Sequence, residues 1–126
     1  MRTPASKARA TIKHTDTQPQ TVDTFVETLV QRIEEKKGQN TVVLDVSEAP
    51  LTIDRLVISE ATSAKQLRAI GKHLKETIET QPNAVEGLDS RTWVVLDFGT
   101  VVVHLFEREA REFYDLDGLW DLTSDT

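Results

Sequence analysis

No cysteine occurs in the chain, and that absence removes disulfide frameworks, thiol catalysis and thiolate metal centres at once. It suits a reducing compartment, so a cytoplasmic location is the expectation. Long apolar runs are missing too. None approaches the ~20 residues of a membrane-spanning helix, and the first residues lack the apolar core of a secretion signal. No membrane contact is expected. A Gly-rich phosphate loop and a lysine following such a loop are likewise absent. The triplet Asp97-Phe98-Gly99 spells the metal-binding triplet of protein kinases, yet a kinase also needs a pairing lysine on a strand and a catalytic loop. Neither is found in 126 residues, the length of one small domain.

Candidate catalytic groups fail in the same way. Asp45, Asp54 and Asp97 lie in or beside apparent strands, as the carboxylates of metal-dependent nucleotidyl transferases do. Without a loop to hold phosphates they are read as structural. His14, His73 and His104 have no metal-site spacing, and Ser63 and Ser90 sit in no nucleophile elbow. The chain is therefore read as a non-enzyme with no catalytic residue, metal or cofactor.

What is present is unevenly distributed. In residues 1–20, Arg2, Lys7, Arg9 and Lys13 face only Asp16, whereas residues 107–126 set seven carboxylates against Arg108 and Arg111. The net charge of −6 disfavours broad contact with nucleic acid. A short basic arm could still touch RNA where a protein contact brings it close. Residues 1–20 show no hydrophobic period and read as a flexible basic tail. Their composition also fits an organelle transit peptide, but too few apolar residues are present for an amphipathic helix.

Val22, Phe25, Val26, Leu29, Val30 and Ile33 recur at helical spacing. Thr21 is placed to cap this helix, Lys36 and Lys37 suit its negative end, and Gly38 fits a C-terminal cap. The run Thr41–Val46 predicts a strand covered on both faces. Pro50 breaks the chain before a second strand around Ile53 to Ile58. Thr62 or Ser63 then caps another helix, with Leu67, Ile70, Leu74 and Ile78 on its buried side. Lys65, Arg68, Lys72 and Lys75 form a basic line along it, read first as a solvated face and second as a site for RNA phosphates. Gln81-Pro82-Asn83 ends the helix, and Val85 opens a short edge strand.

The register of the next element can be worked out. If Gly99-Thr100 is a two-residue turn, Phe98 pairs with Val101, and pairing runs back to Trp93 with Phe106. Alternation then separates two faces. Val94, Leu96, Phe98, Val101, Val103 and Leu105 make an apolar core face. Trp93, Val95, Asp97, Val102, His104 and Phe106 make a mixed face, either roofed by a helix or kept for a partner. Aromatic residues gather here: Trp93, Phe106, Phe113, Tyr114 and Trp120 fall within 28 residues, whereas the first 92 contain only Phe25. Trp and Tyr are enriched at the energetic centres of protein interfaces. Trp93 and Tyr114 are candidates for such a surface, and Phe113 and Trp120 for core beneath a C-terminal helix.

These residues resemble the ribosomal silencing factor family, also called Iojap. Its pattern is roughly W-V-L-L-D-Y-G-D-V-V-V-H-x-F followed by R-x-F-Y-x-L-x-x-L-W. The chain supplies Trp93, Val94, Leu96, Asp97, Gly99, Val101, Val102, Val103, His104 and Phe106, then Arg111, Phe113, Tyr114, Leu116, Leu119 and Trp120. Upstream, Val42–Val46, Leu56–Ser63, Arg68–Ile70 and Val85–Ser90 fall in matching order and spacing. Phe98, Thr100 and Ala61 depart from the usual tyrosine, aspartate and glycine, and Asp54-Arg55-Leu56 from Asp-Tyr-Phe.

The resemblance implies a domain over 21–122, with a short tail at 123–126. Its fold would be α/β, a mixed β-sheet of about five strands with packed helices and nucleotidyltransferase-like topology but no catalytic site. It implies binding to the large ribosomal subunit through that subunit's ribosomal protein fourteen. Joining of the small subunit would be blocked and translation lowered when nutrients are scarce, with a further part in large-subunit maturation. The expected partner surface is Trp93, Asp97, Phe98, Gly99, His104, Phe106 and Tyr114. Lys65, Arg68, Lys72 and Lys75 would face ribosomal RNA at the periphery, and a homodimer is compatible with the reading. The competing readings are a degenerate nucleotide-binding nucleotidyltransferase and a plain dimerisation module.

Overall fold

The computed structural model describes residues 21–48 and 52–114, except the side chains of Phe113 and Tyr114. Expectations placed on the tails, His14, Pro50, Trp120 and the Phe113 and Tyr114 side chains lie outside the described residues.

Helix α1 (Val22–Glu35) begins where expected, with the Thr21 hydroxyl accepting the Thr24 N–H at 3.1 Å. Its end differs from expectation in one position. Lys37, not Gly38, takes the left-handed conformation (φ 69°). The N–H groups of Lys37 and Gly38 reach back to the carbonyls of Glu34 and Ile33, which satisfies the last turn.

Strand β1 (Gln39–Asp45) pairs antiparallel with β2 (Arg55–Ala61), which pairs in parallel with β5 (Val101–Glu107). Strands β4 (Trp93–Asp97) and β3 (Ala84–Glu86) complete the sheet, antiparallel to their neighbours, in the order β1-β2-β5-β4-β3. The expected doubly covered strand at Thr41–Val46 is thus an edge, and Val43 stands 43% exposed. The strand covered on both faces is β2, where Leu56 to Ala61 are all buried.

Helix α2 (Ala64–Thr77) is capped by Ser63, whose hydroxyl accepts the Gln66 N–H at 3.1 Å. It connects β2 to the β3–β5 meander and lies beside α1 on one face of the sheet. The main core sits there, where Val26, Leu29 and Ile33 meet Leu67, Ile70 and Leu74 over Val57, Val94, Leu96, Val103 and Leu105. Burying such side chains contributes roughly 1.5–3 kcal/mol each. The seven-residue α3 (Arg108–Tyr114) follows β5 directly.

The hairpin register is the expected one, from Trp93 opposite Phe106 to Asp97 opposite Val102. The Phe98 N–H closes the turn on the Val101 carbonyl at 2.9 Å, and Gly99 has φ +95°. Two positions allow a controlled comparison. A Cβ at Gly99 would meet only Asn83 Nδ2, at an ordinary contact distance of 3.5 Å, so Gly99→Ala pays only for its backbone angle, about 1 kcal/mol. Gly87 also has positive φ (+84°), and a Cβ there strikes the Trp93 carbonyl oxygen. That obstacle is backbone and cannot rotate aside. Gly87→Ala is expected to cost about 1–2 kcal/mol more than Gly99→Ala in urea unfolding.

Candidate functional site

Alternation along β4 and β5 sends Trp93, Val95, Val102, His104 and Phe106 to the sheet face opposite α1 and α2. A second, smaller cluster forms there: Leu56, Ile58, Val102 and Phe106 are buried, and Leu44, Ile53, Trp93, Val95 and Ala110 pack partly buried around them. The face is therefore roofed at one end only among the described residues, by α3 through Ala110.

Its centre is an aromatic triad. Trp93 lies directly across from Phe106, with ring centroids 5.0 Å apart. His104 lies diagonally across from Trp93, its ring nearly parallel to that of Phe106 (11°, 6.2 Å). The indole Nε1–H of Trp93 donates to His104 Nδ1 at 3.0 Å. That bond makes Nδ1 an acceptor, so the neutral ring carries its proton on Nε2. Burial lowers the His104 pKa from 6.5 to about 4, because the charged ring would lose its water. The result is a partly buried aromatic plate, neutral at physiological pH, whose indole tilts 40° against His104 and 32° against Phe106 and is held by its hydrogen bond.

The sign of the pH effect follows. Below pH 6.5 the unfolded chain protonates His104 while the folded protein, with its pKa near 4, does not. Stability is therefore flat above pH 7 and falls as pH drops through that window. The loss at pH 5 is about 2 kcal/mol. Urea unfolding at pH 7.5 and pH 5 should show this difference, and His104→Gln should remove most of it.

The other predicted residues are dispersed. Asp97 caps its own turn, its carboxylate accepting the Gly99 N–H at 2.8 Å. Phe98 faces the helix side, edge-on to Phe25 at 5.2 Å, so it cannot share a surface with Trp93. Phe106 is wholly buried and supports the plate from beneath, a correction to its place among the contact residues. His73 pairs with Glu35 across α1 and α2 at 2.8 Å, and Asp45 is engaged by Ser47 and Arg55. Among the described residues no three metal-ligating side chains converge. Lys65, Lys72 and Lys75 are exposed and Arg68 is half-exposed, on the opposite layer from Trp93.

Sequence reasoning missed Glu60. Its carboxylate, 7% exposed, accepts from Asn40 Nδ2 at 3.0 Å, Arg108 Nε at 3.1 Å and Arg111 Nη1 at 3.2 Å. It pins α3 onto the strand pair β1–β2, beside Phe106. Each donor lies 20 to 51 residues from Glu60 in sequence, so no local signal marks the cluster.

A family model described as "Ribosomal silencing factor during starvation" matches residues 19–126. A ribosomal silencing factor of Halalkalibacterium halodurans is 34% identical over 94 residues, covering 72% of this chain and 80% of the relative. A mouse protein named for mitochondrial assembly of the ribosomal large subunit is 33% identical over 107 residues, covering 79% of this chain and 46% of its own. A crystal structure of a protein from Chromobacterium violaceum has a TM-score of 0.75 at 28% identity, with 80% of this chain and 87% of that one covered.

Proposed function

This chain belongs to the ribosomal silencing factor family, and from that premise we propose that it docks on the large ribosomal subunit through ribosomal protein fourteen and bars the small subunit from joining. The action is steric and belongs to the cytoplasm under nutrient limitation. The name of the mouse relative supports a second use of the same contact, in large-subunit maturation.

The observation that carries the reading is the Trp93–His104 plate. A tryptophan that remains half-exposed on a supported sheet face, with its ring orientation fixed by a hydrogen bond, loses little rotamer freedom on binding. Val95 extends the plate, and Asp97 with Gly99 shapes its lower rim. Tyr114 is a rim contact in this proposal. A standard interface of about 1,600 Å² needs such a centre rather than more area.

The test is sedimentation of purified subunits with the protein in excess. Co-migration with the large subunit and fewer joined particles is the expected result. Binding without any loss of joined particles would remove the steric mechanism while leaving the partner.

A further inference from the structure

Arg32, Arg55, Arg108 and Arg111 each form an ion pair with a carboxylate. The four cations of α2 do not. Lys65, Arg68, Lys72 and Lys75 make no ion pair among the described residues, even though Glu76 follows Lys72 at helical spacing. At about 100° per residue they fall within an arc of roughly 80°, and they extend about 15 Å along the axis. Leu67, Ile70 and Leu74 hold the other side of the helix in the core, so the ridge is rigidly mounted. His73, which pairs with Glu35 of α1, points away from it on the neighbouring flank.

Four rigidly presented, unneutralised cations on a protein of net charge −6 are a local feature that overall charge balance does not supply. We propose that this α2 ridge binds the phosphate backbone of RNA, on a surface separate from the Trp93 plate. It rests on the ribosome reading only for the identity of the polyanion. The sheet lies between α2 and Trp93, so one flat partner cannot cover both. The ridge therefore does not reinforce the large-subunit contact. It meets RNA brought to the outward side of the docked protein.

The probe is a fluorescein-labelled RNA duplex of 16 base pairs, titrated with the full chain by anisotropy. Four phosphate contacts give a log–log salt slope near −3.6, hence roughly a 100-fold loss of affinity between 50 and 200 mM KCl. Neutralising two of the cations, Lys65→Gln with Lys72→Gln, should halve the slope and leave co-sedimentation with the large subunit unchanged. Trp93→Ala should do the reverse, so failure of the ridge and failure of the docking reading are told apart. An unchanged slope in the ridge variant would overturn the proposal. So would a halved slope in a full chain carrying Lys7→Gln, Arg9→Gln and Lys13→Gln with the ridge intact, which would assign the RNA contact to the basic tail. Equal affinity for an acidic peptide of matched charge would make the ridge a protein contact instead.

Discussion

Trp93→Ala binds the large ribosomal subunit at least about 30-fold more weakly than the unaltered protein and still folds. Two kcal/mol is the usual threshold for an interface residue of this class, which corresponds to about that factor. The fold survives because the larger core lies on the other side of the sheet, where Val94 and Leu96 of the same strand remain packed. The half-exposed indole covers Phe106 and donates to His104, so its removal costs about 2 kcal/mol of stability, within what a small domain tolerates. Trp93→Phe separates the contributions. It keeps the aromatic plate but loses the indole N–H, and about 1 kcal/mol of binding should go with it as the plate loses its fixed rotamer. Co-sedimentation reads the binding and circular dichroism reads the fold. Full binding by a folded Trp93→Ala protein would put the docking surface elsewhere. An unfolded Trp93→Ala chain would make the indole a core residue.

Much of this geometry was legible because β-pairing is arithmetic. Once Gly99 is placed at the turn, each residue of the hairpin has a partner and a face, and both faces came out as found. The Trp93–His104 bond was within reach of the same register, since the two residues are diagonal neighbours across the pair. Edge and centre were not legible. Thr41–Val46 is as apolar as a buried strand, but exposure at Val43 depends on there being no further strand beyond β1 among the described residues. Lys37 shows the same limit on a smaller scale: the Gly38 signal marked the end of the helix, while the left-handed position fell one residue earlier. The role of Phe106 turned on depth, and alternation gives only direction. A buried ion cluster is the least legible of all, because its members are chosen by tertiary proximity.

That cluster gives the largest expected loss of stability. Glu60→Ala removes the buried anion that Arg108, Arg111 and Asn40 share. Breaking one side of a buried pair costs about 3–5 kcal/mol. At 4–8 °C per kcal/mol for a domain of this size, the melting temperature should fall by more than about 12 °C. Helix α3 has seven residues and is too short to hold itself, so it should lose amide protection before the rest of the sheet. The effect on docking follows from position: Glu60 neighbours Phe106 in the β2–β5 register, and α3 roofs that end of the Trp93 face. Replacing the pair together, Glu60→Leu with Arg111→Met, is expected to recover most of the melting temperature, since apolar side chains of similar volume fill the site without the cost of desolvating charge. A single Glu60→Ala variant melting within about 2 °C of the unaltered protein would show that α3 is held by Ala110 packing alone.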